Sequence, residues 1–122
     1  MSKSCKTEEL DWVRIMAAYK RISIDEAKAL MAASEVTLVE VRDSGSFSES
    51  NIKNSINVLS ENIADFLDDA DKAKPLIAYC YHGNNSQGAA AYFFAQGFTE
   101  VYSMDGGFEE WSRKYECHKA VG

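Results

Sequence analysis

Apolar and polar positions along the chain switch between a helical period and short unbroken apolar runs, and the switches mark the elements. Leu10, Val13 and Ala17 recur at helical spacing, with Trp12, Ile15, Met16 and Tyr19 widening the stripe, so a first helix is predicted from a cap at Thr7 to about Tyr19. Ser23-Ile24-Asp25-Glu26 has the S-x-x-E form of a capping box, in which Ser23 and Glu26 each satisfy a free backbone N–H, and the helix it opens extends to about Ala33. Val36-Thr37-Leu38-Val39-Glu40-Val41 is β-branched and mostly apolar, as suits a central strand covered on both faces; Arg42-Asp43-Ser44-Gly45-Ser46 breaks it.

Ile56-Asn57-Val58 reads as a short strand, and Glu61 to Asp69 as a short acidic helix with Ile63, Phe66 and Leu67 inward. Leu76-Ile77-Ala78-Tyr79 is a second buried strand, opened by Pro75. Asn85 or Ser86 is placed to cap a helix from Gln87 to Gln96, and Gly97 supplies a left-handed stop. Glu100-Val101-Tyr102-Ser103 is the next strand. Asp105 is placed to cap a last helix that carries Phe108 and Trp111, with Arg113 and Lys114 near its negative end. This alternation, without an internal repeat, predicts an α/β unit.

The composition narrows the setting. At 122 residues one core suffices, and a single proline with seven glycines leaves little room for a disordered linker. Thirteen basic against nineteen acidic residues give a net charge of −6, which argues against nucleic acid or an anionic membrane as partner. No apolar stretch follows the first lysines, and no segment approaches the roughly eighteen apolar residues of a membrane span, so neither export nor insertion is expected. Cys5, Cys80 and Cys117 are an odd set without a Cys-x-x-Cys pair, which suggests neither a disulfide framework nor a zinc site and fits a reducing cytoplasm. The adjacent Cys117-His118 carries little weight as a ligand pair, and no metal site is expected.

Chemistry is expected at Cys80. In an open parallel sheet the ligand site lies beyond the carboxyl ends of the strands, where turns lead into helix starts, and Cys80 falls there. Gly83 permits unusual dihedrals, Asn84 and Asn85 tolerate left-handed geometry, and the helix start directs free N–H groups into the turn. Such groups stabilise a thiolate, the nucleophilic form of cysteine. An isolated cysteine at a strand end is ordinarily a small buried hydrophobe; the Gly/Asn turn and the helix behind it outweigh that default.

Cys80-Tyr81-His82-Gly83-Asn84-Asn85-Ser86-Gln87-Gly88-Ala89-Ala90 resembles the active loop of the rhodanese homology family, in particular its single-domain thiosulfate sulfurtransferases of the bacterial glycerol-regulon type. Leu38-Val39-Glu40-Val41-Arg42-Asp43 with Phe47, and Val101-Tyr102-Ser103-Met104-Asp105-Gly106-Gly107-Phe108-Glu109-Glu110-Trp111, extend the resemblance from about Ile22 to Trp111. It implies a five-stranded, mostly parallel sheet flanked by helices on both faces, filling residues 22–122, with residues 1–21 a helical extension packed on the domain. It also implies a persulfide on Cys80, surrounded by the backbone of Tyr81, His82, Gly83, Asn84, Asn85, Ser86 and Gln87. Sulfur then passes from a small anionic donor such as thiosulfate to cyanide or a thiol, thioredoxin being a candidate acceptor, without metal or organic cofactor.

Four positions depart from the family pattern: Glu40 where Asp is usual, Asn51 where His is frequent, Asn85 where many members have Arg, and Gln87 where the glycerol-regulon type has Lys. Glu40 and Arg42 still share one strand face and are expected to form a structural ion pair. The loop changes leave His82 as the one potentially cationic side chain from Cys80 to Gln87, so a doubly charged donor is expected to bind weakly. His82 is read as shaping the loop or its field in preference to acting as a base, since a thiolate held by N–H groups needs none. Tyr81 is read as a pocket wall, and Phe108 and Trp111 as core.

Other classes fit less well. A cysteine phosphatase or arsenate reductase needs a cation for the oxyanion, commonly Arg at the place here held by Ser86. A redox sensor needs a resolving thiol, and neither Cys5 nor Cys117 can be assigned to Cys80. A noncatalytic rhodanese-like binding or regulatory module is the better alternative, although such modules characteristically lack the cysteine.

Overall fold

The computed structural model describes residues 19–115. Strands β1 (Tyr19–Ile22), β2 (Thr37–Glu40), β3 (Ile56–Asn57), β4 (Leu76–Tyr79) and β5 (Val101–Met104) form one sheet in the order β1-β5-β4-β2-β3. All four pairings are parallel, so the sheet expected to be mostly parallel is parallel throughout. Helices α1 (Ile24–Ala33), α2 (Ser44–Glu49), α3 (Ile63–Asp69), α4 (Asn85–Ala95) and α5 (Gly107–Lys114) make the connections.

Successive strand side chains leave opposite faces of the sheet, and this divides the interior in two. Leu38, Ile77, Tyr79 and Met104 pack with Ile24 and Ala27 of α1 and with Phe108 and Trp111 of α5. Val39, Leu76, Ala78 and Val101 pack on the other face with Ala90 and Phe93 of α4 and with Phe98; Ile63, Phe66 and Leu67 of α3 close over them. Phe93 meets Phe66 and Phe98 edge-on at 5.5 and 5.8 Å, contacts that add about 0.5–1.5 kcal/mol each beyond the area they bury. All four residues of β4 have 0% exposure, which is why the run Leu76 to Tyr79 shows no polar alternation.

The capping box forms as read: the Glu26 N–H donates to Ser23 Oγ (3.0 Å) and the Ser23 N–H to Glu26 Oε1 (2.8 Å). Gly97 ends α4 with φ +108°. Three expectations change. Tyr19, placed by its helical spacing at the end of a first helix, instead opens β1 and pairs with Val101, because an edge of β5 was open to it; the rest of that helix lies outside the described residues. The segment read as a break after β2 contains α2, started by Asp43, whose carboxylate accepts from the Ser46 N–H (2.8 Å) and hydroxyl (3.0 Å) and is held below the usual carboxylate range by those bonds. Asp105 does not cap α5: Gly106 stands there with φ +79°, and Asp105 pairs with Arg21 (2.9 Å).

Candidate active site

Cys80 follows β4, the middle strand of the sheet, and its side chain is 4% exposed. The Gly83 N–H lies 3.1 Å from its Sγ and the Ser86 N–H 3.3 Å, both donating to the sulfur. The Ser86 N–H is one that the start of α4 leaves unsatisfied, so the thiol takes the place of a capping side chain there, while the Gly83 N–H belongs to the turn before the helix. That explains a failed expectation. Neither Asn85 nor Ser86 caps α4, whose N-cap is Asn84 without a side-chain bond, and the buried Ser86 hydroxyl pairs instead with Ser103 Oγ of β5 at 2.8 Å.

The loop is pressed against the start of α5. The Phe108 N–H donates to the Cys80 carbonyl (2.8 Å) and the Glu109 N–H to the Tyr81 carbonyl (2.9 Å), which satisfies two of the N–H groups that the start of α5 leaves free and ties these two carbonyls to that helix. The approach needs glycine on both sides. A Cβ on Gly107 (φ +60°) would come within 2.4 Å of the Tyr81 oxygen and 2.5 Å of the Cys80 oxygen. A Cβ on Gly83 (φ +97°) would come within 2.9 Å of the Gly106 nitrogen. Asp105 is not needed as a cap because loop carbonyls do that work.

A pocket of about 140 Å³ opens at the thiol, lined by Cys80, Tyr81, His82, Asn84 and Asn85. Tyr81 is exposed and forms an outer wall, its ring 4.6 Å edge-on from His82. His82 Nδ1 lies 2.8 Å from Glu109 Oε1, and Arg113 donates to the other oxygen of Glu109 at 2.9 Å. The loop's one potentially cationic side chain is therefore bonded to a carboxylate. Gln87 does not face the pocket; its amide donates to the Gly83 carbonyl (3.1 Å) and accepts from the Tyr19 hydroxyl (3.3 Å). A wider cavity of about 450 Å³, lined by Thr37, Phe66, Asp69 and Lys74 among others, lies toward the amino ends of the strands and holds no thiol.

Beside the loop, Glu40 and Arg42 form the expected ion pair through Oε2 and Nε, with Glu40 at 0% exposure. Arg42 also donates to the Ser50 carbonyl (2.6 Å) and lies 4.3 Å from the centre of the Phe108 ring. The Tyr79 hydroxyl donates to Glu40 Oε1 (2.6 Å), accepts from the Ile52 N–H (3.1 Å) and lies 2.9 Å from Ser55 Oγ. Burial first, and then the Glu40 carboxylate, push the Tyr79 phenol well above its ordinary range.

Sequence reasoning missed Gly107, Glu109, Ser103 and Tyr19 as neighbours of the loop. The string Asp105-Gly106-Gly107-Phe108-Glu109 carried a signal, since adjacent glycines at a helix start ask for a close approach. Tyr19 and Ser103 carried none. Cys5, Cys117 and His118 lie outside the described residues. Among the described residues no group of His, Cys, Asp and Glu is arranged to hold a metal ion, and no helix is long and apolar enough to cross a membrane.

The thiol thus sits under a pocket of about 140 Å³ with two backbone N–H groups in contact with its sulfur. Residues 23–114 match the family model of the rhodanese-like domain. The chain belongs to this family. The thiosulfate sulfurtransferase GlpE of Pseudomonas syringae pv. syringae is 49% identical over 107 residues, 88% of this chain and 100% of that protein. The protein of the same name from Shewanella oneidensis is 42% identical over 96 residues, 79% of this chain and 95% of that one. Among solved structures, a rhodanese-like domain protein from Staphylococcus aureus is 27% identical with a TM-score of 0.66, covering 75% of this chain and 90% of its own. A rhodanese-related protein from Thermoplasma volcanium, 24% identical, shares the fold with a TM-score of 0.69 over 82% of this chain and 98% of its own.

Proposed function

We propose that the protein is a thiosulfate sulfurtransferase that carries sulfur on Cys80. The observation that carries the reading is the pair of N–H groups, from Gly83 and Ser86, at Cys80 Sγ beneath an open pocket. The family, and the relatives named for this activity, support it.

In this reading the Cys80 thiolate attacks the outer sulfur of thiosulfate. The sulfur–sulfur bond of the donor breaks, its electron pair leaves with sulfite, and a persulfide remains on Cys80. Cyanide or a thiolate, a reduced thioredoxin included, then attacks the outer sulfur, and the thiolate of Cys80 returns. Backbone N–H groups aimed at the sulfur hold negative charge through both steps without a proton transfer. Glu40 and Arg42 keep the adjoining chain in place and touch no substrate. A cycle that begins and ends on a free thiol suits the reducing cytoplasm, the compartment we also propose.

Intact-mass spectrometry after thiosulfate treatment tests the reading. The expected result is the gain of one sulfur atom, reversed by dithiothreitol and absent from Cys80→Ser. A wild-type protein that gains none would leave a noncatalytic module as the better description.

A further inference from the structure

We propose that Gln87 is a positioning residue for the sulfur-carrying loop, holding the Gly83–Asn84 peptide so that the N–H groups at Cys80 keep their direction. The inference rests on the sulfur-transfer reading, but its evidence is separate. Gln87 sits in the first turn of α4, half-buried, with its side chain turned back along the loop. Its Nε2 donates to the Gly83 carbonyl at 3.1 Å, and its Oε1 accepts from the Tyr19 hydroxyl at 3.3 Å. Tyr19 belongs to β1, is registered against Val101 of β5, and packs against the core under α4. The amide is thus anchored to the sheet at one end and grips the loop at the other.

The gripped residue is the one that matters. Gly83 donates its own N–H to Sγ at 3.1 Å and adopts φ +97°, where it has no side chain to limit its torsions. The described peptide bonds are all trans, so a held Gly83 carbonyl sets the Asn84 N–H in the opposite direction. Asn84 lines the pocket, and neither it nor the next two side chains cap the helix. Gln87 does not cap the helix, since its amide donates to a carbonyl; it restrains the turn that leads into the helix. Because the amide is neutral, its effect falls on the order of the loop and on the transfer step, and the attraction of an anionic donor is left unchanged.

Gln87→Met keeps the length and removes both bonds; Tyr19→Phe removes only the outer one. Two quantities are measured for each and for the double variant. One is amide exchange by NMR at Gly83 and Ser86, with Leu76–Tyr79 of β4 as the internal reference for intact folding. The other is the single-turnover rate at which thiosulfate loads sulfur onto Cys80. Gln87→Met is expected to speed exchange at the loop but not in β4, and to slow loading about five- to tenfold, with the salt dependence of the donor's half-saturating concentration unchanged. Tyr19→Phe should act in the same direction by about two- to threefold, and the double variant should match Gln87→Met, because Tyr19 acts through the Gln87 oxygen. Single effects that multiply in the double variant would overturn the proposal, as would unchanged loop exchange with loading within about twofold of wild type. If wild-type protein loads no sulfur, the sulfur-transfer reading falls, and the exchange arm still decides whether Gln87 holds the loop.

Discussion

Glu40 ends β2 and lies in register with Tyr79, the last residue of β4; Cys80 directly follows that neighbouring strand. Two groups able to bear negative charge thus stand side by side at the carboxyl edge of one parallel sheet. Glu40 is wholly buried and answered by side chains, Arg42 on one oxygen and the Tyr79 hydroxyl on the other. Cys80 is answered by backbone, the N–H groups of Gly83 and Ser86, with an open pocket beside it. A charge enclosed by side chains ties strands to loops and has no face left for a substrate. A charge held by backbone N–H groups from one side remains free to react on the other. The difference separates a structural site from a chemical one more sharply than burial does, since both residues are buried.

The largest expected effect tests the chemical half. Cys80→Ser should lower thiosulfate:cyanide sulfur transfer by at least about a thousandfold while leaving the circular dichroism spectrum intact, because hydroxyl oxygen is not a sulfur carrier. Substantial residual activity in that variant would remove the contrast at its centre.

Gly107→Ala comes next, since it strikes the contact that ties two loop carbonyls to the start of α5. With a Cβ within 2.5 Å of both the Tyr81 and Cys80 oxygens, the loop must move. Activity should fall by about tenfold or more and stability by about 2 kcal/mol, read from denaturant midpoints. Gly88→Ala, with nothing within 4 Å of its Cβ, is the matched control and should hold or raise stability.

Tyr79→Phe addresses the structural half. Removing one hydroxyl strands Glu40 Oε1 and the Ile52 N–H, at a cost of about 1–3 kcal/mol, while kcat for sulfur transfer should change by less than about threefold. A pH series sharpens this. The folded phenol is raised, so its contribution is complete below the unfolded tyrosine value of about 10 and is lost as pH rises from there toward the folded value. Tyr79→Phe should therefore flatten the alkaline limb of the stability curve. A limb of unchanged slope would mean that the buried network does not favour the protonated phenol.

The smallest effect is expected from Glu109→Gln, which leaves His82 and Arg113 without their shared carboxylate. KM for thiosulfate should fall about two- to fivefold at low salt and less at physiological salt, with kcat within about a factor of two. An unchanged KM at both salts would show that backbone groups alone set donor affinity.

The sequence alone determined the parts governed by near neighbours. The strand at Leu76–Tyr79, the capping box at Ser23, the stop at Gly97 and the pairing of Glu40 with Arg42 all depend on residues a few positions apart, where dihedral preference and side-chain reach act before any long-range contact forms. The site at Cys80 was legible for the same reason: sulfur, turn and helix start lie within seven residues, from Cys80 to Ser86. Only the tertiary structure decided whether Tyr19 would be helix or strand, because the outcome depended on an open edge of β5, far along the chain. It also decided how the helix starts were satisfied. Local propensity offered Asn85, Ser86 and Asp105 as caps, and packing replaced them with a thiol and two loop carbonyls that the parallel sheet brought alongside. Backbone groups carry no residue type, so nothing written in the sequence could say which of them would meet.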